Sequence, residues 1–301
     1  MSRSTVKILS NTNLQTSYAL WVALTLASIA IWWSALAATL HLALTNDAYT
    51  HILLIVPLSL ALIYLQWKLT SISLESGFWQ GAILLAVGLF LRVIPAWHVT
   101  NSSSDVGLSI TMLGIVLWWV GSVMLCFGWR AVRSLLFPLG FLLLIVPFSS
   151  GMLTAITQFL QDESAYAASL LFRVAQVPVM RNGVFLSIPG LNIEVARECS
   201  SIRSSMMLAV ITLLLAHLFL RSWWRKALLA MAIVPLAVAK NAVRIFTIAE
   251  LGTRVDPGFL EGRLHRNGGV LFLALSLIAV VALLWLLRKS EEQGGVQPVS
   301  S

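Results

Sequence analysis

The sequence predicts an all-α polytopic membrane protein: about eight transmembrane helices, an interfacial helix, and a small extracytoplasmic β-element before helix six. Three observations predict it. Of the 301 residues, 58% are hydrophobic and only 11% are charged, a balance outside the range of soluble domains. Several apolar runs reach the roughly 20 residues that a helix needs to cross the hydrocarbon core, and helices satisfy their own backbone in lipid. Between residues 177 and 195 the pattern changes, with strand-like sequence around the turn signals Asn182-Gly183 and Pro189-Gly190.

The first apolar run, residues 18–42, is longer than a signal-peptide core and lacks a small-residue cleavage site after it, so it is expected to stay as an anchor. Arg3 and Lys7 precede it, while the short loop 45–50 holds Asp47 and neither Lys nor Arg, which puts the N-terminus in the cytoplasm. Residues 51–67 and 78–97 are the second and third spans. The fourth, 106–127, ends at Trp129, Arg130 and Arg133, and a short fifth, 134–147, returns outward. Residues 152–172 carry Gln158, Gln161, Asp162 and Glu163 in their middle, which suits an interfacial or re-entrant helix better than a lipid-facing span. Strands are expected at 177–179, 184–188 and 191–195. The sixth span then runs inward to Arg221, Arg225 and Lys226, the seventh (227–248) runs outward, and the eighth (268–287) ends at Arg288 and Lys289. Residues 1–290 read as one integral membrane domain and 291–301 as a disordered cytoplasmic tail.

The formal net charge of +8 comes mostly from basic residues that flank apolar runs, where positive-inside bias and anionic lipid account for them. Membrane lipid, and not nucleic acid, is the expected partner. The two cysteines, Cys126 and Cys199, show no CxxC or Cys/His metal spacing, so no metal and no cofactor are expected. Cys126, between Leu125 and Phe127, reads as packing.

This topology brings the start of span six, the end of span seven and the start of span eight to the outer surface. Those three ends hold the unusual polar residues: Glu198, Cys199 and Arg203 at the first, Lys240, Asn241 and Arg244 at the second, and Arg263, His265 and Arg266 at the third. A thiol at a helix start meets free N–H groups and a positive dipole end, which favour a thiolate. Two readings of Cys199 follow: an activated nucleophile, or a small buried hydrophobe beside a solvated helix entry. Arg244 lies inside an apolar segment, where a basic residue costs about 2.5–3.5 kcal/mol at mid-helix, and Asn241 shares its face one turn earlier. Lys240 is read equally well as snorkelling to the headgroups. With an outward-facing Cys199, His265 becomes a candidate general base and a guanidinium a candidate oxyanion or carboxylate binder.

These residues resemble the exosortase/archaeosortase membrane proteins. The matching stretches are Glu198-Cys199-Ser200-Ser201-Ile202-Arg203-Ser204, Asn241-Ala242-Val243-Arg244-Ile245, and His265 followed by Gly268 and Gly269. Asp47-Ala48-Tyr49-Thr50-His51 is similar to the family's acidic-x-Tyr-Ser-His stretch. Ser201 stands where the family often has Gly, and Thr50 where it often has Ser, which leaves the subfamily open. The resemblance implies a cysteine transpeptidase-like sorting protease of a bacterial inner membrane, with Cys199, Arg244 and His265 as catalytic residues at the periplasmic face. It implies substrate-binding or supporting roles for Tyr49, His51, Glu198, Arg203 and Asn241. The implied partners are secreted proteins ending in a Pro-Glu-Pro-type motif, a membrane helix and a basic tail. Two rival readings remain: a transporter with Arg92, Lys240, Arg244 and Glu250 along an anion path, and an acyltransferase on lipid substrates that uses His265 with Cys199 as bystander.

Overall fold

The apolar runs fold as helices. A computed structural model describes residues 3–69, 77–98, 104–195, 202–261 and 263–294. They fall into two units, Met1–Ser150 and Gly151–Ser301.

In the first unit, α1 (Arg3–Ile31) and α2 (Trp33–Thr45) are two halves of the first apolar run, broken at Trp32. Trp32 is fully buried and tilts against Trp118, ring centroids 5.4 Å apart. A 3-10 turn, Asp47–Tyr49, is capped by the Asn46 side chain, which accepts from the Ala48 N–H, and leads into α3 (Ile52–Leu69). Next come α4 (Phe78–His98) and α5 (Ser104–Ser134). The second of these breaks at Gly128, whose φ is +82°, one residue past the expected end of span four. A short α6 (Leu136–Phe141) and a 3-10 turn, Leu142–Ile145, follow.

The closest helix pair here is α4 with α5, joined along a glycine seam. A Cβ on Gly88 would stand 2.7 Å from the Gly114 carbonyl oxygen, and one on Gly114 would stand 2.8 Å from that of Gly88. A Cβ on Gly81 would meet the Leu125 backbone nitrogen at 2.6 Å. Gly81 and Gly88 on one helix, like Gly114 and Gly121 on the other, are two turns apart and share a face. Lipid tails are as apolar as leucine, so helices associate in lipid through close backbone approach, which small residues permit.

The second unit begins with α7 (Ser150–Val174). Its inner face is Thr157, Leu160, Gln161, Ser164, Ala165, Ala168 and Phe172, while Gln158, Asp162 and Glu163 are exposed. The helix is amphipathic, as the polar residues in its run predict. It ends in a left-handed cap: Gln176 has φ +58°, its N–H bonds the Arg173 carbonyl, and the Val177 N–H bonds that of Phe172. Three antiparallel strands follow in the order β1 (Met180–Asn182), β2 (Phe185–Ile188), β3 (Leu191–Glu194). The first strand lies three residues later than expected, because a two-residue turn pairs Asn182 with Phe185 and counts the register back from there. Gly183 (φ +60°) and Gly190 (φ +82°) supply the left-handed turn positions. Val177 and Val179 pack on the core without joining the sheet.

The rest of the unit is α8 (Ile202–Phe219), α9 (Trp223–Met231), α10 (Ile233–Arg254), α11 (Gly258–Glu261) and α12 (Arg263–Gly294). Inside the turn between α8 and α9, the Arg221 and Ser222 N–H groups donate to the Glu291 carboxylate at 3.0 and 2.6 Å, and Arg225 pairs with it at 3.3 Å. The core joins Phe172 of α7, Leu186, Ile188 and Val195 of the β-element, and Ala242, Ile245 and Ala249 of α10.

Among the described residues, six helices are long and apolar enough to cross a membrane: Leu14–Ile31, Asp47–Lys68, Asp105–Ser134, Ile202–Phe219, Trp223–Arg254 and Gly269–Gln293. A seventh arises if Leu136–Ile145 and Ser150–Val174 count as one broken span. Of the eight expected spans, the third, Phe78–Ile94, is a shorter apolar helix. The fifth is too short to cross alone, since ten helical residues rise only about 15 Å. The chain is a multi-pass, all-α membrane protein with, among the described residues, one small antiparallel sheet.

Candidate functional site

Three elements of the second unit carry or flank residues of the expected site. The β-element delivers the chain to Val195, a buried residue with both backbone groups engaged. Its N–H donates to the Val184 carbonyl at 3.0 Å, and its carbonyl accepts from the Gln161 side-chain amide of α7 at 2.8 Å. Glu198 and Cys199 lie outside the described residues. The description resumes at Ile202, the first residue of α8, which is buried, followed by an exposed Arg203 and by buried Ser204 and Ser205.

The second element is α10. Lys240, Asn241 and Arg244 are all buried, at 6%, 0% and 8% exposure. That is too little for a side chain reaching out to headgroups, so the snorkelling reading of Lys240 does not hold. Its ammonium donates to the hydroxyls of Ser204 and, at 3.3 Å, Ser205. A buried ammonium is tolerated when its protons have acceptors, and here both acceptors sit in the first turn of α8. Arg244 follows one turn later, about 6 Å further along the axis. Ala242, Ile245 and Ala249 are turned toward the sheet and α7.

The third element is the start of α12, a helix that along its length packs on both α8 and α10. The turn before it is tight: a Cβ on Gly252 would come within 2.5 Å of Leu260, and Asp256 accepts the Gly258 N–H at 2.8 Å. His265 belongs to the helical backbone of α12, but its side chain lies outside the described residues. Further along, Phe272, Ser276, Val280 and Leu284 form the buried face.

Tyr49 and His51 belong to the first unit, where both are buried. The Tyr49 hydroxyl donates to the Phe148 carbonyl at 2.9 Å, and His51 Nδ1 lies 3.2 Å from the Ala48 carbonyl, with a further bond to the Leu144 backbone. Ser109 holds the neighbouring Pro147 carbonyl at 2.7 Å. Cys126 is a buried free thiol, in keeping with its reading as packing.

Two contacts were not foreseen: Gln161 to Val195, and Lys240 to the Ser204/Ser205 pair. Gln161 was visible as a polar residue in an apolar run, yet nothing in the spacing said which carbonyl it holds.

The second unit defines a class: a multi-pass membrane protein with buried cationic and amide groups on one helix, beside the entry to another. The transmembrane exosortase model matches residues 32–282, well over half the chain. The protein belongs to the transmembrane exosortase family, a family of membrane transpeptidases or proteases that act in protein sorting. No curated protein and no solved structure matches it.

Proposed function

We propose that this protein is a cysteine peptidase or transpeptidase of the bacterial inner membrane. In this reading it cleaves C-terminal sorting signals, each a Pro-Glu-Pro-type motif, a membrane helix and a basic tail, at the periplasmic face. The observation that carries the proposal is Arg244, buried with Asn241 one turn beyond the contact that ties α10 to the first turn of α8. Cys199 precedes Ile202, the first residue of α8, by three positions in the sequence. In this reading the Arg244 guanidinium acts with the Cys199 thiol. His265 lies on α12, seven residues before Phe272.

The chemistry is acyl transfer. The Cys199 thiolate attacks the scissile carbonyl, and Arg244 receives the charge that develops on its oxygen. The tetrahedral adduct collapses as the His265 imidazolium gives its proton to the leaving amine, which releases the membrane-helix fragment and leaves a thioester. Water or an acceptor amine then attacks the thioester, loses a proton to His265, and frees the thiolate.

The transporter reading has less to stand on. Arg92 reaches the Ile31 carbonyl at 3.5 Å and Ser34 at 3.4 Å beside the break at Trp32, and Glu250 pairs with Arg254 at 2.8 Å. Both are engaged locally. The test is co-expression with a protein bearing such a signal. Cys199→Ala should accumulate the full-length, membrane-anchored substrate, while Cys126→Ser should process it normally. Normal processing by Cys199→Ala would end the cysteine-nucleophile reading and favour the acyltransferase or transporter.

A further inference from the structure

The stretch that carries Cys199 leaves the β-element at Val195 and enters α8 at Ile202. Each of those described ends is gripped by a buried polar side chain from a different helix. On the incoming side, Gln161 donates to the Val195 carbonyl at 2.8 Å, while the Val195 N–H is held by β2. On the outgoing side, Lys240 donates to Ser204 and Ser205. We propose that Gln161 and Lys240 are positioning residues: from α7 they fix Val195 and from α10 the first turn of α8, the described residues on either side of Cys199 in the sequence, and turnover by the Cys199 nucleophile depends on both contacts.

Three features support this role over ordinary packing. Both contacts are buried, and both join residues far apart in sequence, 34 positions for one and 36 for the other. Each therefore fixes a long-range relation that the local helix and turn geometry leaves open. Both act on the backbone or first turn next to the Cys199 stretch and not on the helix middles, where apolar contacts suffice. And Lys240 stands on the same helix face as Arg244, one turn away. The tie that holds the α8 entry is thus built on the element that carries the proposed oxyanion binder, so a shift in one moves with the other.

This inference rests on Cys199 being the nucleophile, and the experiment separates the two. Cys199 alkylation by iodoacetamide is followed against pH in detergent-solubilised protein carrying Cys126→Ser, alongside steady-state cleavage of a signal-bearing substrate. Gln161→Leu and Lys240→Met are each expected to shift the alkylation profile. Each is also expected to lower kcat about ten- to hundredfold, the scale for an angstrom-level misplacement of a reacting group, with KM little changed. Lys240→Arg, which keeps donors for both hydroxyls, should recover part of kcat. If Lys240→Met fails to give monodisperse protein, the Ser204→Ala/Ser205→Ala pair, which removes only the acceptors, reads the same contact. An unchanged alkylation profile and kcat in these variants, with Cys199→Ala inactive, overturns the positioning role while leaving the nucleophile in place. Normal cleavage by Cys199→Ala overturns the nucleophile reading itself.

Discussion

Placing a methyl group in the α4/α5 seam should separate the two helices, and the structure sets the size of the effect. In Gly81→Ala the new Cβ would stand 2.6 Å from both the Leu125 Cβ and its backbone nitrogen, and 2.7 Å from its Cα. Ordinary carbon contacts begin near 3.5 Å, so the helices must part by about 1 Å. Backbone cannot rotate out of the way as a side-chain tip can. Such overpacking costs about 1–3 kcal/mol, set against a helix-propensity gain of up to about 1 kcal/mol for Gly to Ala. Gly140 isolates the packing cost, because a Cβ there meets nothing within 4 Å. The difference between Gly81→Ala and Gly140→Ala in detergent unfolding should be about 1–3 kcal/mol. The Gly88→Ala/Gly114→Ala double variant should cost less than the sum of its singles, since one parting of the helices relieves both clashes. Equal stabilities for Gly81→Ala and Gly140→Ala would refute the seam.

The helix cap and the guanidinium give two further tests. Gln176→Gly should stabilise the protein by about 1 kcal/mol, because Gln176 holds a left-handed φ of +58° that costs a non-glycine residue about that much, and a thermal unfolding curve in detergent reads it directly. Arg244→Lys should fail to process substrate as completely as Arg244→Ala while inserting normally, because Lys offers a point charge where a planar fork binds two oxygens. Near-normal processing by Arg244→Lys would reduce the role of Arg244 to charge alone.

The long helices were legible because each contains an apolar run, and the hairpins because Asn182-Gly183 and Pro189-Gly190 mark their turns, while the short α11 lies in no such run. The first strand was displaced because β-branched Val177 and Val179 drew the expectation, whereas register is counted from the turn. The break at Trp32 carries no Pro or Gly and could not be read. The seven-residue glycine spacings of the seam were there to be read, as small residues at helical period inside apolar runs. At the candidate site, Lys240, Asn241 and Arg244, all three buried, were legible as polar residues inside an apolar run. Their partners were not, since Lys240 and Ser204 are 36 residues apart and no local pattern links an ammonium to a hydroxyl at that distance.

A polar group inside an apolar helix therefore announces a task without saying which. For Lys240 the task is two hydroxyls on a neighbouring helix, and for Gln161 a strand-end carbonyl. Tyr49 and Ser109 take the Phe148 and Pro147 carbonyls, just past the 3-10 turn where α6 has ended and no helical N–H is left to accept from. In lipid an unmet carbonyl costs several kcal/mol, so the irregular chain after Ile145 depends on side chains supplied by the 3-10 turn at 47–49 and by α5. The Asp47-Ala48-Tyr49-Thr50-His51 stretch thus has a physical task inside the first unit, whatever it does for substrate. Tyr49→Phe keeps the ring and removes only the donor, which makes it the substitution that separates that task from any contact with a sorting signal.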